Sequence, residues 1–155
     1  MATIHFHETM HATPEQFVAA LTDFGPGRSD LFANSDDGYL QVHDHGPVEA
    51  DVTEGSRGIW ERLDYDVRNP EHIVLKTTDS NVWGGRSGHT YTLTRQPDGT
   101  TDVDVVIRRE GKNVKGRLLA AFLGTVGQGA VMRAFDDTVT TIDGRSEREL
   151  AGETC

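Results

Sequence analysis

The sequence predicts an α+β fold in which a curved antiparallel sheet of about seven strands surrounds a long C-terminal helix. Two observations predict it. From residue 39 to residue 109, apolar and polar residues alternate with a period of two between closely spaced turns, which is typical of consecutive hairpins. From Asn113 to Asp143, apolar residues instead recur in steps of three and four, which is typical of a helix. A curved sheet around this helix is the compact way to bury both apolar surfaces.

Seven stretches show the composition and alternation of half-buried strands. They are residues 3–9, Tyr39–Asp44, Val48–Thr53, Ile59–Val67, His72–Thr78, Ser87–Arg95 and Thr101–Arg109. Turn residues such as Gly46-Pro47 and Pro97-Asp98-Gly99 separate neighbouring strands. Because the connections are short, we expect an antiparallel meander.

One short helix is predicted directly after the first strand. Thr13 can cap its start, Pro14 suits its first turn, and Gln16 completes a capping box. The run Gly25-Pro26-Gly27 ends it. Residues 29–34 can add one further helical turn, so one or two short helices precede the second strand.

The long predicted helix starts at the capping residue Asn113 and contains two irregularities. Gly124, Gly127 and Gly129 cluster near its middle, where each costs up to about 1 kcal/mol relative to alanine. The apolar stripe also changes face there. We expect a kinked helix, and a break into two helices is the alternative. Because a missing side chain leaves space, Gly127 is expected to border a cavity for a ligand.

Length and composition indicate one domain. The 155 residues suffice for a self-sufficient core, which we expect within residues 1–143, followed by a flexible polar tail at residues 144–155. No apolar run reaches the ~20 residues that span a bilayer, so no membrane insertion is expected. The single cysteine, Cys155, cannot form an internal disulfide, and a cytoplasmic location is expected.

The formal net charge of −10 bears on partners. A surface with such a charge repels nucleic acid and anionic lipid headgroups, so neither is a favoured partner. It does not exclude an apolar small molecule or lipid that is enclosed inside the protein.

Four segments carry a resemblance to a known superfamily. They are IHFHETMHATPEQFVAALTDF, GSRGIWERL, SGHTYTLTRQPDGTTDVDV and NVKGRLLAAFLG. In order and spacing they resemble the first strand and helix, the fourth strand, the last hairpin and the helix entry of the helix-grip superfamily. That superfamily includes the START lipid-transfer domains, the birch pollen allergen family and the bacterial polyketide cyclases. The resemblance covers nearly the whole chain and implies an apolar cavity between the concave sheet face and the long helix.

Polar residues on the inward strand faces are the candidates for chemistry. Alternation places Glu61 with the apolar residues of its strand, and His89 with Tyr91. A desolvated carboxyl group and an imidazole can exchange protons near neutral pH, and a tyrosine can hydrogen-bond a carbonyl. Glu61, His89 and Tyr91 are therefore the predicted catalytic residues. The alternative is purely structural: Glu61 pairs with Arg109 or Arg86, and His89 donates to a backbone carbonyl.

A second set of residues is predicted to contact a ligand. The set comprises Leu63, Tyr65, Trp83, Arg86, Leu93, Phe122, Val126 and Gly127. Trp83 lies in the glycine-rich loop SNVWGGRSG, where it can act as a lid over an apolar ligand. The alternative is a long loop that one packed tryptophan holds in place. Trp60 is expected on the face of its strand opposite Ile59 and Leu63, where it packs outside the sheet or at the terminal helix.

Two strand-spaced histidine pairs raise the question of a metal. His5 and His7 could meet His43 and His45 if their strands were neighbours, but no cysteine or acidic ligand completes a known spacing. The sequence contains no phosphate-binding loop after a strand either. We therefore expect neither a metal nor a cofactor.

Three functions remain open from the sequence. The first is binding or carrying of a hydrophobic small molecule or lipid in an internal cavity. The second is an aromatase/cyclase-type enzyme that acts on an enclosed apolar substrate. The third is a protein-interaction module without a ligand. An apolar cavity favours the carrier, inward polar groups favour the enzyme, and a filled core favours the interaction module.

Overall fold

The computed structural model describes residues 1–153, with side chains through Glu147. Within those residues, the order of elements agrees with the predicted order. The strands are β1 (Ala2–Met10), β2 (Gln41–His45), β3 (Glu49–Ser56), β4 (Ile59–Asn69), β5 (His72–Ser80), β6 (Gly88–Arg95) and β7 (Thr101–Arg109). The α-helices are α1 (Pro14–Leu21), α2 (Val114–Leu123) and α3 (Gln128–Glu153), and a 3₁₀ turn spans Arg28–Asp30.

The strands form one antiparallel sheet in the order β1-β7-β6-β5-β4-β3-β2. Strands β2 to β7 follow one another as hairpins, and β1 returns to pair with β7. The register places Phe6 and Tyr91 on either side of Val105, so inward residues of three strands form one row. Register shifts between β4 and β5 add local bending to the sheet. The predicted curved antiparallel meander is confirmed.

Both predicted helix caps are present. The Thr13 side chain accepts a hydrogen bond from the Gln16 amide, and Gln16 Oε1 accepts one from the Thr13 amide at 2.8 Å. Asn113 Oδ1 accepts a hydrogen bond from the Gly116 amide, also at 2.8 Å. These bonds satisfy amide groups that have no partner inside the helix, and they fix where each helix begins.

The predicted long helix is broken. α2 ends at Leu123, α3 begins at Gln128, and the two are bent by 75°. The Gly127 amide donates to the Phe122 carbonyl at 2.8 Å, which closes the end of α2. The alternative of two helices is therefore confirmed, and the kinked single helix was wrong. No single described helix is long and apolar enough to cross a membrane; α2 and α3 meet that test of length and composition only as a bent pair.

Gly127 lies away from the cavity. It is buried, and a Cβ atom there would lie 2.9 Å from the Phe122 ring and 3.1 Å from Leu123 Cα. The expectation that Gly127 leaves space for a ligand was therefore wrong. The absent side chain instead lets the chain fold tightly against the last turn of α2.

The bend places the two apolar stripes of the segment in different environments. Phe135, Val139 and Ile142 of α3 are buried in the main core. Phe135 contacts Phe6 edge to face, with ring centroids 5.5 Å apart. The stripe of α2 faces solvent instead; its exposed members are Val114, Leu118 and Phe122, followed by Val126.

The helix α3 continues past the predicted end at Asp143. Residues 144–153 are helical, so the helix continues through Gly144. A glycine costs only about 1 kcal/mol inside a helix, which ten further helical residues can offset. Residues 154–155 of the predicted tail lie outside the described residues, and the flexibility of the tail stays a prediction.

Candidate functional site

A cavity of about 420 Å³ lies between the concave face of the sheet and α3. Its apolar walls include Ile4, Ile59, Trp60, Trp83, Leu123 and Phe135. Its polar lining includes Glu54, Glu61, His89, Tyr91 and Arg109. Asn34, Arg57 and Ala134 line it and are also exposed, so the mouth lies between the segment after α1, the β3–β4 hairpin and α3. Pockets for small organic ligands measure about 300–1,000 Å³.

The β3–β4 hairpin sets the rim of the cavity. Arg57 and Gly58 both have left-handed backbone angles, with φ of 53° and 82°. Two such residues form the tight turn that matches the twist of neighbouring strands. The pairing of Ser56 with Ile59 follows directly from that turn. Alternation along β4 then directs Ile59 and Glu61 to the cavity.

Glu61 and Arg109 form a buried two-pronged ion pair beside the cavity. Arg109 Nη1 and Nη2 donate to the two Glu61 carboxylate oxygens at 2.9 and 3.0 Å. Thr77 Oγ1 donates to Glu61 Oε2 at 3.0 Å. The Arg109 guanidinium also lies over the Trp83 ring, 5.0 Å from its centroid. The alternative that Glu61 pairs with Arg109 is thus what the structure shows.

Arg109 also determines which His89 nitrogen carries the proton. Arg109 Nη2 lies 2.8 Å from His89 Nε2, and because arginine can only donate, Nε2 must accept. The proton of the neutral ring is then on Nδ1, which lies 3.3 Å from the Tyr91 hydroxyl oxygen. With that oxygen accepting from His89, the Tyr91 hydroxyl hydrogen is available to an acceptor in the cavity. The predicted bond from His89 to a backbone carbonyl was therefore wrong.

Burial and pairing shift the protonation of the three predicted catalytic residues. Burial lowers the pKa of His89, and the charge of Arg109 lowers it further, from 6.5 to about 4. Burial alone would raise the pKa of Glu61, but the charge of Arg109, with smaller contributions, lowers it below 4.5. Burial raises the pKa of Tyr91. At neutral pH Glu61 is ionised, His89 is neutral and Tyr91 carries its proton.

A second buried network lies next to the first. Glu54 faces Glu61 directly in the register of β3 and β4. Glu54 accepts hydrogen bonds from Arg28 Nε at 2.8 Å, from Ser35 Oγ at 2.9 Å and from the Tyr65 hydroxyl. Each of the two facing carboxylates therefore has its own arginine, which offsets the repulsion between them. This network also ties the 3₁₀ turn to the sheet.

The predicted site residues fall into two groups. Glu61, His89 and Tyr91 line the cavity, as their strand positions suggested, and Trp83 of the loop between β5 and β6 lines it as well. Trp83 is buried and pairs with Gly111 in an isolated β-bridge. It therefore forms a wall of the cavity, and the glycine-rich loop is held in place by a packed tryptophan, which was the alternative to a lid. Catalytic roles for the first three stay predictions.

The remaining predicted ligand contacts do not line the cavity. Leu63, Tyr65 and Leu93 are buried in the core, because the inward face of the sheet is longer than the cavity. Arg86 is exposed and pairs with Glu110. The other three lie at the end of α2 or in the turn between α2 and α3, and the helix break directs them away from the cavity; they are Phe122, Val126 and Gly127.

Reasoning from the sequence missed or misplaced several residues that line the cavity. Trp60 was expected outside the sheet or at the terminal helix, yet it lines the cavity beside the β3–β4 hairpin. Arg109 was treated only as a partner of Glu61. Glu54 was not singled out, although it pairs directly with Glu61 across the β3–β4 hairpin. The Ser-Arg-Gly sequence of that turn could have indicated a two-residue loop, and such a loop fixes this register.

The two histidine pairs lie at opposite edges of the sheet. β1, with His5 and His7, is one edge, and β2, with His43 and His45, is the other. The pairs therefore cannot share one ion. Across the described residues, no group of three or more His, Cys, Asp or Glu side chains is arranged to hold a metal.

Comparisons with known proteins bear on the fold. No protein-family model matches the sequence, and no curated protein does either. A START superfamily protein from Mycobacterium smegmatis is similar in structure, with a TM-score of 0.67 and 11% identity over 96% of this chain and 99% of its own. The Zhui aromatase/cyclase from Streptomyces sp. R1128 has a TM-score of 0.69 and 14% identity, over 96% of this chain and 94% of its own.

A third similar structure is the di-domain aromatase/cyclase StfQ from the steffimycin biosynthetic pathway. It has a TM-score of 0.58 and 13% identity over 94% of this chain, which corresponds to 52% of StfQ. Identities this low show the fold and leave the function open. This chain has a seven-stranded curved antiparallel sheet and a long C-terminal helix, and together with the structural similarity this shows the helix-grip fold.

Proposed function

We propose that this chain binds one apolar small molecule in its cavity, with a polar acceptor group of that molecule facing Tyr91. The observation that carries the proposal is the combination of an open cavity of about 420 Å³ with mostly apolar walls and a hydrogen-bonded polar end. Apolar walls supply most of the binding free energy, and a few polar groups set the orientation. The cavity also gives no support to an interaction module with a filled core.

The polar end suits recognition better than proton abstraction. The Glu61 carboxylate is held by Arg109 and Thr77, and Glu54 is held by Arg28, Ser35 and Tyr65. The Nε2 lone pair of His89 accepts from Arg109. Each of these bases already has a donor: taking a proton would break the bond that His89 Nε2 accepts, and it would weaken the charge-assisted bonds of the two carboxylates. The Tyr91 hydroxyl, by contrast, has a hydrogen to donate to a ligand carbonyl or hydroxyl oxygen.

Tryptophan fluorescence tests the proposal directly, because both tryptophans of the chain, Trp60 and Trp83, line the cavity. Titration with a panel of fatty acids and aromatic polyketones is expected to change the emission in a saturable way. Ala134→Phe should abolish the change by filling the mouth. Ala130→Phe, on the exposed surface of the same helix, is the matched control. Wild-type emission that stays unchanged throughout the panel would refute binding.

An aromatase/cyclase-type activity is the second candidate, and the free Tyr91 hydroxyl hydrogen is the observation that favours it. A donor aimed at a ketone oxygen would stabilise the negative charge that develops during enolisation. Tyr91→Phe should then remove turnover of a bound polyketone, and Glu61→Gln should remove it as well if Glu61 exchanges protons. Turnover that survives both substitutions would exclude this chemistry at the cluster.

A further inference from the structure

The helix α2 presents an apolar stripe to solvent. The exposed fraction is 72% for Val114, 68% for Leu118 and 54% for Phe122, and it is 75% for Val126 just after the helix. These four residues are spaced four apart and are called the α2 stripe below. The opposite side of the helix is held down by Ala120, which is buried against the start of the chain and the Trp83 loop. The stripe is therefore a fixed surface of the folded protein.

Basic residues flank the α2 stripe on both sides. At 100° per residue, Lys115 lies about 60° from the centre of the three helical residues of the stripe in one direction, and Arg117 lies about 100° from it in the other. Both side chains are exposed. An apolar stripe between basic flanks is the pattern of a helix that lies in the headgroup region of a bilayer.

The charge of this region is opposite to that of the chain as a whole. Residues 111–135 contain no Asp or Glu and four basic residues; the basic residues are Lys112, Lys115, Arg117 and Arg133. Their charge is +4, so a total of −10 leaves −14 on the rest of the chain. Lys112 lies 3.8 Å from Asp79 Oδ1 and is paired with it, which leaves Lys115, Arg117 and Arg133 as the basic residues that set the charge of this face. Exposed charges are screened beyond about 8–10 Å at physiological salt, so the local charge decides what docks here. The repulsion from anionic lipid that the net charge predicts does not apply to this face.

Two other occupants fit the same face less well. A second copy docked by two-fold symmetry would use the same patch on both sides of the interface, so basic flanks would face basic flanks. Nucleic acid would match the charge but would bury the apolar centre against phosphates. An anionic bilayer satisfies both features, because its headgroups attract the flanks and its acyl region takes up the apolar residues.

We propose that α2 docks this protein peripherally on an anionic membrane surface, with Leu118 and Phe122 buried among the lipids and Lys115 and Arg117 against the headgroups. The cavity is not required for this docking. Leu123, on the inner side of α2, lines the cavity, so a docked protein would hold one cavity wall next to the membrane.

Vesicle flotation tests the proposal on the full chain. Vesicles of phosphatidylcholine with phosphatidylglycerol are expected to bind the protein at low salt, and vesicles of phosphatidylcholine alone are expected to bind it much less. One basic residue near an anionic surface contributes enough to change binding about fivefold, so Lys115→Gln and Arg117→Gln should each weaken binding by about that factor. Leu118→Ser should weaken binding as well. High salt should lower the binding of the wild type.

Controls separate docking from general charge effects and from misfolding. Lys76→Gln, at an exposed position on β5, and Val42→Ser, at an exposed apolar position on β2, should leave vesicle binding unchanged. All variants change exposed side chains, and circular dichroism checks that they fold. Equal binding to neutral and anionic vesicles, or loss of binding in Lys76→Gln, would overturn the proposal. A dimer in the absence of vesicles that Leu118→Ser dissociates would also overturn it, since the face would then be a subunit interface.

Discussion

The buried histidine predicts how the stability of the fold depends on pH. His89 has a pKa of about 4 in the folded protein, whereas a solvated histidine titrates at 6.5. The unfolded chain therefore binds a proton between these values that the folded protein does not bind. The contribution of the neutral His89 to the free energy of unfolding is fully present above pH 6.5 and is lost as the pH falls toward 4. From the two pKa values, the loss between about pH 7.5 and about pH 5 is about 2 kcal/mol.

Glu61 acts in a lower range of pH. The pKa of Glu61 is lowered from 4.5. The contribution of its carboxylate to the free energy of unfolding is therefore present above pH 4.5 and is lost only as the pH falls below that value. At about pH 5 the effect of His89 thus dominates within this cluster. The assay is urea unfolding of the wild type and of His89→Gln at the two pH values. A glutamine at this position can still accept from Arg109 and donate to Tyr91.

The difference in unfolding free energy between wild type and His89→Gln should change by about 2 kcal/mol between the two pH values, with the wild type losing more stability. His72→Gln, at an exposed position on β5, is the matched control and should show no such change. A wild-type–variant difference that is the same at both pH values would mean that His89 is not held neutral, and it would refute the tautomer assigned from Arg109.

Two further predictions concern the ion pair and the helix junction. Arg109→Met should destabilise the fold by about 3–5 kcal/mol, because it leaves the buried Glu61 charge without its partner; Glu61→Leu combined with Arg109→Met should restore most of that loss in urea unfolding. Gly127→Leu should cost about 1–3 kcal/mol, because a side chain there meets the Phe122 ring, and it should leave ligand binding in the cavity unchanged. Gly129→Leu is its control, because the nearest atom to a Cβ there is the end of the Arg133 side chain at 3.7 Å; a thermal melt in which both glycine variants behave alike would contradict this account.

The sequence by itself determined the elements and most of their order. Alternation placed β7 at Thr101–Arg109 and started β4 at Ile59, both as observed. The caps at Thr13 and Asn113 were readable because their hydrogen bonds join residues three apart. Alternation also directed Glu61, His89 and Tyr91 inward, because side chains in a strand point to opposite faces in turn.

The tertiary structure decided the rest, because the remaining features depend on angles between elements. The 75° bend after Leu123 decided that Phe135 packs in the core while Leu118 faces solvent, and no local pattern contains that angle. The positions of the β3–β4 hairpin and α3 relative to the sheet decided that Trp60 lines the cavity while Leu63 lies in the core. Glu61, His89 and Arg109 lie on three different strands, so their mutual hydrogen bonds follow from strand order and register, which are set by long-range pairing.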